Sequence, residues 1–167
     1  MTFSNFTLPA ITINNYVWDV MKQVDTTFPK QYGQTVPFFP INDAKSGTKS
    51  WDNKPYVIYD RILRNTGRPF YPIKREHLLY AVKGSAKDAL EWSMAIQYIL
   101  DRMDDAAQDI NAWNREQTTP SNVYFHHLKA FQTQGAENRD FSNRSYYIAQ
   151  FTIEAEYHLT DSIDSFL

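Results

Sequence analysis

Three residues that could do chemistry alternate near the C-terminal end of the chain. Glu154, Glu156 and His158 occupy every second position of the segment SYYIAQFTIEAEYHLT, residues 145–160. Alternate residues of a β-strand share one face, so the two carboxyl groups would lie about 6.5 Å apart along it. Retaining glycosidases hold their carboxyl groups about 5–5.5 Å apart, so acid/base catalysis is one hypothesis. A strand with one solvated face produces the same row, and we favour a solvated face or a subunit contact.

A metal site is the second chemical hypothesis. His126 and His127 are adjacent in sequence, so an ideal strand would point them to opposite faces and keep them from one ion. His126 could instead meet His158 across a hairpin and, with Glu156, form a metal-binding set. Because no zinc-motif spacing links these residues, we favour scattered surface histidines and expect no metal or other cofactor.

Composition and motifs narrow the classes of function further. The chain has no cysteine, which excludes disulfides and thiolate chemistry, and its five glycines form no phosphate-binding or nucleophile motif. The net charge of -2 gives no general case for binding nucleic acid or a membrane surface. No run approaches the ~18 consecutive apolar residues of a membrane span, and the N-terminus lacks the pattern of a signal peptide.

Hydrophobic periodicity predicts the elements that position these residues. Apolar residues at helical spacing predict an amphipathic helix over 15–28, after an N-terminal arm over 1–13. A second, long helix is predicted near 86–114, opened by an S-x-x-D cap at Ser85. Strands are predicted at 55–63, 77–84, 123–131 and 144–160.

The element order predicts the fold class. Helix, strand, strand, helix, strand, strand, with short links between neighbouring strands, indicates an α+β fold. We expect a single two-layer domain over 1–167, with a C-terminal tail at 161–167. In it, the N-terminal helix and the long helix pack on one face of a mainly antiparallel sheet. Long loops are predicted at 29–54, 64–75 and 132–144, and loops of this length often contact partners.

Two charged segments are candidate interfaces. Asp101, Asp105 and Asp109 follow at i, i+4 and i+8 of the predicted long helix. The favoured interpretation is a solvated face, and the alternative is a stripe that meets basic residues of a neighbouring subunit. The basic segment with its aromatic tip comprises Arg61, Arg64, Arg68, Phe70, Tyr71, Lys74 and Arg75. Ordinary loop charges, a subunit interface, or single-strand nucleic-acid binding through Arg68, Phe70, Tyr71 and Lys74 all remain open for this segment.

Several stretches together carry a family resemblance. They are KPYVIYDRIL, EHLLYAVKG, the helix SAKDALEWSMAIQYILDRMDDAAQDINAW and the final RSYYIAQFTIEAEY. Their order over residues 14–159 resembles the tail-terminator, or tail-completion, proteins of long-tailed bacteriophages. It also resembles their relatives among head–tail connector and tail-tube proteins.

The resemblance implies a structural role without catalytic residues. Such proteins form a homo-oligomeric ring, usually a hexamer, on the head-proximal end of the tail tube, in the neck region of the virion. The ring stops tube polymerisation and offers a surface to the head–tail connector protein. Partners implied in this way are the tail tube protein, the connector protein and, as a further candidate, the tail sheath protein. DNA would pass through the lumen without specific binding, and no membrane would be involved.

The interface candidates follow from this role. Sheet edges and loops make the ring contacts in relatives, which by element indicates 29–54, 64–75 and the hairpin tip at 132–144. Glu154 and Glu156 would be outward residues at a subunit contact. Because phosphate contacts would hold a sliding duplex, we expect Arg64, Arg68 and Arg75 to face a protein rather than the channel. The alternatives are another neck or tube component of the same fold and, from a different class, a small metal-dependent or acid/base enzyme using Glu154, Glu156 and His158.

Overall fold

Five strands and three helices make up the described part of the chain. The computed structural model describes residues 9–25, 32–40, 54–63, 73–101, 105–141 and 144–160. In chain order the elements are α1 (Pro9–Val24), β1 (Phe38–Pro40), β2 (Tyr56–Leu63), β3 (Lys74–Gly84), α2 (Ala86–Leu100), α3 (Ala106–Arg115), β4 (Val123–Phe141) and β5 (Arg144–Leu159). No helix within these ranges is long and apolar enough to span a membrane.

The strands form one mixed sheet in the order β1-β2-β3-β5-β4. All neighbours pair antiparallel except β1, which lies parallel to β2. The central β3–β5 ladder runs without a register shift from Lys74 opposite Tyr157 to Gly84 opposite Tyr147. The three helices pack on this sheet, so the predicted α+β class is confirmed. Strand β1 lies inside the segment 29–54 that the sequence indicated as a loop.

The core lies between the helices and one face of the sheet. Phe151, Ile153 and Ala155 of β5 are fully buried there, as the period-two pattern of this strand requires. The ring of Tyr80 stacks on Phe151 at 5.4 Å, and its hydroxyl donates to Oδ1 of Asn14 in α1 at 2.6 Å. This hydrogen bond satisfies two buried polar groups and joins the first helix to the middle of the sheet.

The first helix begins earlier than the sequence indicated. We expected an arm over 1–13 and a helix from 15, but α1 starts at Pro9 and ends at Val24. Proline is well suited to the first helical position, because the amide hydrogen that it lacks would have no partner there. The arm prediction is therefore wrong from residue 9 onward. Ala10 and Ile13 are buried in the core, which explains why this stretch joins the helix.

The long helix predicted near 86–114 is two helices. Ser85 caps α2 as predicted, accepting from the amide of Asp88 at 3.2 Å. However, α2 ends at Leu100, and Asp105 caps α3 by accepting from the amide of Ala107 at 3.2 Å. Asp105 has a φ of 29°. Aspartate favours caps over helix interiors because its short carboxylate binds nearby backbone amides.

The final hairpin is longer than expected. We predicted a loop over 132–144, but β4 continues to Phe141 and β5 begins at Arg144, so this prediction is wrong. The ladder contains register shifts between Gln132 and Gln134 and between Gln134 and Glu137. Polar residues are poor strand formers in isolation, but pairing with a neighbouring strand overrides this preference.

Candidate functional site

The candidate site is the sheet face opposite the helices. Glu154, Glu156 and His158 of β5 lie on this face, as predicted from their alternation with the buried apolar row. The side chains of Glu154 and Glu156 are each only 25% exposed, because residues of the neighbouring strands pack beside them. All four histidines of the chain lie on this face, and we refer to it as the histidine face.

Arg75 and Glu156 form an ion pair across the centre of the histidine face. They are direct partners in the β3–β5 ladder. Nε of Arg75 donates to Oε1 of Glu156 at 2.8 Å, and Nη2 donates to the same oxygen. Arg75 was expected to face a neighbouring subunit or another protein, with the acidic helix residues as a candidate partner. Within one chain it already has a carboxylate partner, although its side chain remains 52% exposed.

Two histidines flank Glu154. Nε2 of His77, its partner in the β3–β5 ladder, lies 3.0 Å from Oε2, and Nε2 of His127 lies 3.5 Å from Oε1. Nδ1 of His77 is buried without a hydrogen-bond partner, which favours the tautomer whose proton lies on Nε2 and points to the carboxylate. Glu154 is therefore the acceptor at the centre of a His–Glu–His row.

A β-bulge changes the expected geometry of His126 and His127. The β4–β5 register shifts between Phe125 and His127, so His126 is an extra residue in β4. Adjacent residues of a regular strand point to opposite faces, but here Phe125 is buried while His126 and His127 both contact outer-face residues of β5. The prediction that they point to opposite faces is wrong for this reason.

His126 and His158 meet across the hairpin, which the sequence analysis considered but did not favour over scattered surface histidines. Nε2 of His126 lies 2.7 Å from Nδ1 of His158, and the ring of Tyr124 lies 5.2 Å and 5.3 Å from their ring centres. Partial burial and, second, the proximity of His126 lower the pKa of His158. His158 is thus favoured in its neutral form. The carboxylate of Glu156 binds Arg75 instead of joining this pair.

The other half of the same face is apolar. Ile58 and Ala81 are buried there, and Phe39 and Ile148 pack against them. Lys83 lies beside this cluster in β3, and burial lowers the pKa of its ammonium group. The face therefore changes along the central strands β3 and β5, from the ionisable residues around Glu154 and Glu156 to the apolar cluster around Ala81.

A separate exposed stripe lies on the outer side of α2. Leu90, Met94 and Tyr98 follow at intervals of four residues, which places them along one face of the helix. They are 40%, 67% and 74% exposed, respectively. They were not among the predicted site residues, because they lie between the buried residues of the same helix in the sequence. We refer to these three residues as the α2 stripe.

The remaining predicted site residues do not lie together in one place. Asp101 is the C-cap of α2, Asp105 is the N-cap of α3, and Asp109 lies within α3. The three residues therefore do not form a stripe on one continuous helix. Lys74 lies in β3 and is half-buried, and Arg61 lies in β2 opposite Leu78. Arg64, Arg68, Phe70 and Tyr71 lie outside the described residues.

The described histidine and carboxylate side chains of the histidine face do not form a metal site of three ligands. Among the residues that the structure describes, no three histidine, aspartate or glutamate side chains converge to hold a metal ion. The predicted set of His126, His158 and Glu156 is therefore incomplete in this geometry. His77 was missed by the sequence analysis, and only the β3–β5 register, which pairs it with Glu154, could have revealed it.

No protein-family model matches the chain, and no curated protein matches it either.

Proposed function

We propose that this chain is a structural protein of a long-tailed phage that assembles into a ring, expected to be a hexamer, at the head-proximal end of the tail tube. The ring would stop tube polymerisation, join the tail to the connector protein and leave a lumen for DNA. The family resemblance of the sequence supports this role, and the confirmed α+β fold is compatible with it. Another neck or tube component of the same fold is the closest alternative.

One structural observation carries the proposal. Two different surfaces are available for contacts: the histidine face on one side of the sheet, and the α2 stripe on the outer side of the helix layer. A closed ring is built from heterologous contacts, in which one patch of each subunit meets a different patch of the next. Two unlike surfaces on opposite layers of the fold suit this arrangement.

The histidine face suits a contact more than a catalytic cleft. On this face Glu156 is bound by Arg75 and Glu154 by His77, so both carboxylates have partners within the chain. Partly exposed side chains of both charge signs resemble the polar rim of a protein interface. In this arrangement the face would bind a neighbouring subunit or the connector protein.

The test is assembly alone and with the tube protein. Mass photometry of the purified chain should show a closed oligomer. Electron microscopy of mixtures with the tail tube protein of the same phage should show rings at one end of tubes that no longer lengthen. A chain that stays monomeric at high concentration and leaves tube growth unchanged would contradict the proposal. A closed ring that does not cap tubes would instead favour the alternative neck component.

A further inference from the structure

The His126–His158 pair has the geometry of a two-ligand metal site. The two imidazoles come from different strands, and Nε2 of one and Nδ1 of the other lie 2.7 Å apart at an exposed position. His158 is opposite Tyr124 in the ladder, and the bulge after Phe125 brings His126 toward it. Two imidazole nitrogens that already converge on one point from paired strands need little rearrangement to bind one ion.

The chemistry of the pair favours a transition-metal ion. At this separation one nitrogen donates its proton in a hydrogen bond and the other accepts it. A metal ion can bind both nitrogens once the donor ring moves this proton to its other nitrogen, because each neutral imidazole then directs a lone pair at the ion. Two nitrogens on a tetrahedral ion with metal–nitrogen bonds of about 2.05 Å lie about 3.3 Å apart, so the rings need to separate by only about 0.6 Å. Imidazole suits Cu²⁺, Ni²⁺ and Zn²⁺.

We propose that Nε2 of His126 and Nδ1 of His158 bind one divalent transition-metal ion, with water or a chelator at the remaining positions. The nearby carboxylates do not complete a closed site, since Glu156 binds Arg75 and Glu154 binds His77. The ion is therefore exchangeable, unlike one held by four protein ligands. This proposal is independent of the ring proposed above.

Copper chelated by iminodiacetate tests the site directly, because this complex keeps two coordination positions open. Untagged protein should bind one equivalent in isothermal titration calorimetry. Electron paramagnetic resonance of the complex should show hyperfine coupling to two imidazole nitrogens. His126→Ala and His158→Ala should each weaken binding by at least about tenfold, because either change removes the gain from simultaneous attachment at two points.

His127→Ala is the matched control, since His127 lies on the same face but binds toward Glu154. It should keep both the affinity and the two-nitrogen spectrum. Equal losses in the control and in the pair variants would overturn the proposal, as would a lack of saturable binding at millimolar chelate. Far-UV circular dichroism of each variant separates loss of the site from loss of the fold. Assembly is measured separately, so failure of the ring proposal leaves this result unaffected.

Discussion

At the scale of the residue, the hydrogen bond between Tyr80 and Asn14 allows a sharp test of the core. Tyr80 is fully buried, and its hydroxyl donates to Oδ1 of Asn14, which is itself only 4% exposed. Burial raises the pKa of Tyr80 well above its usual value, so the hydroxyl keeps its proton and remains a donor. Tyr80→Phe keeps the stacked ring but leaves a buried amide oxygen without this donor.

We expect Tyr80→Phe to lower the free energy of unfolding by about 1–3 kcal/mol, the cost of an unsatisfied buried polar group. Urea unfolding followed by circular dichroism would measure the change. Tyr98→Phe is the control, because Tyr98 is 74% exposed, and it should change the free energy by less than about 0.5 kcal/mol. Equal effects of the two substitutions would show that the bond to Asn14 contributes nothing.

At the scale of the element, two asparagines of α3 fix the position of β4. Asn111 donates through Nδ2 to the carbonyl of Phe125 at 2.8 Å and accepts from the amide of Phe125 at 2.9 Å. Asn114 makes the same pair of bonds to Ser121, each at 2.9 Å. β4 is an edge strand, so backbone groups that face away from β5 need such partners. The residue that Asn111 holds immediately precedes His126.

Removal of the two hydrogen bonds between Asn111 and the backbone of Phe125 should both destabilise the fold and disturb the His126–His158 pair. We expect Asn111→Ala to lower the free energy of unfolding by about 2–4 kcal/mol, since two buried backbone groups lose their partner. Chemical denaturation measures this, and imidazole NMR shifts of His126 and His158 report on the pair. Gln108→Ala is the matched control, because it removes a side-chain amide from an exposed position of the same helix. Unchanged histidine shifts in Asn111→Ala would show that the Asn111 hydrogen bonds do not position His126 against His158.

The sequence predicted those elements whose signals are local. The Ser85 cap and the apolar row of β5 depend only on nearby residues, and both were found as expected. The break between α2 and α3 was missed because Asp105 fits a helical pattern as well as a cap. The contact of His126 with His158 was considered from their strands, although scattered surface histidines were favoured. The bulge that turns His127 to the same face was not anticipated, since it depends on how two distant strands align.

At the scale of the whole molecule, the α2 stripe is the surface most expected to contact another copy of the chain. Met94 and Tyr98 are 67% and 74% exposed, which is unusual for large apolar side chains placed in one line. Full burial of such a side chain contributes about 1.5–3 kcal/mol. A loss of about 1.4 kcal/mol per contact weakens association about tenfold, and a closed ring repeats the contact at every interface.

Under the proposed ring, the double variant Met94→Glu/Tyr98→Glu should remain folded but fail to assemble. Glutamate forms helix well, so the stability of the monomer should change by no more than about 1 kcal/mol. The oligomer should dissociate at concentrations where the unaltered chain is fully assembled, which sedimentation velocity would measure. Gln108→Glu adds a negative charge to an exposed site of α3 and should leave the oligomer intact. Normal assembly of the double variant would exclude the α2 stripe from the ring contact and direct the search to the histidine face.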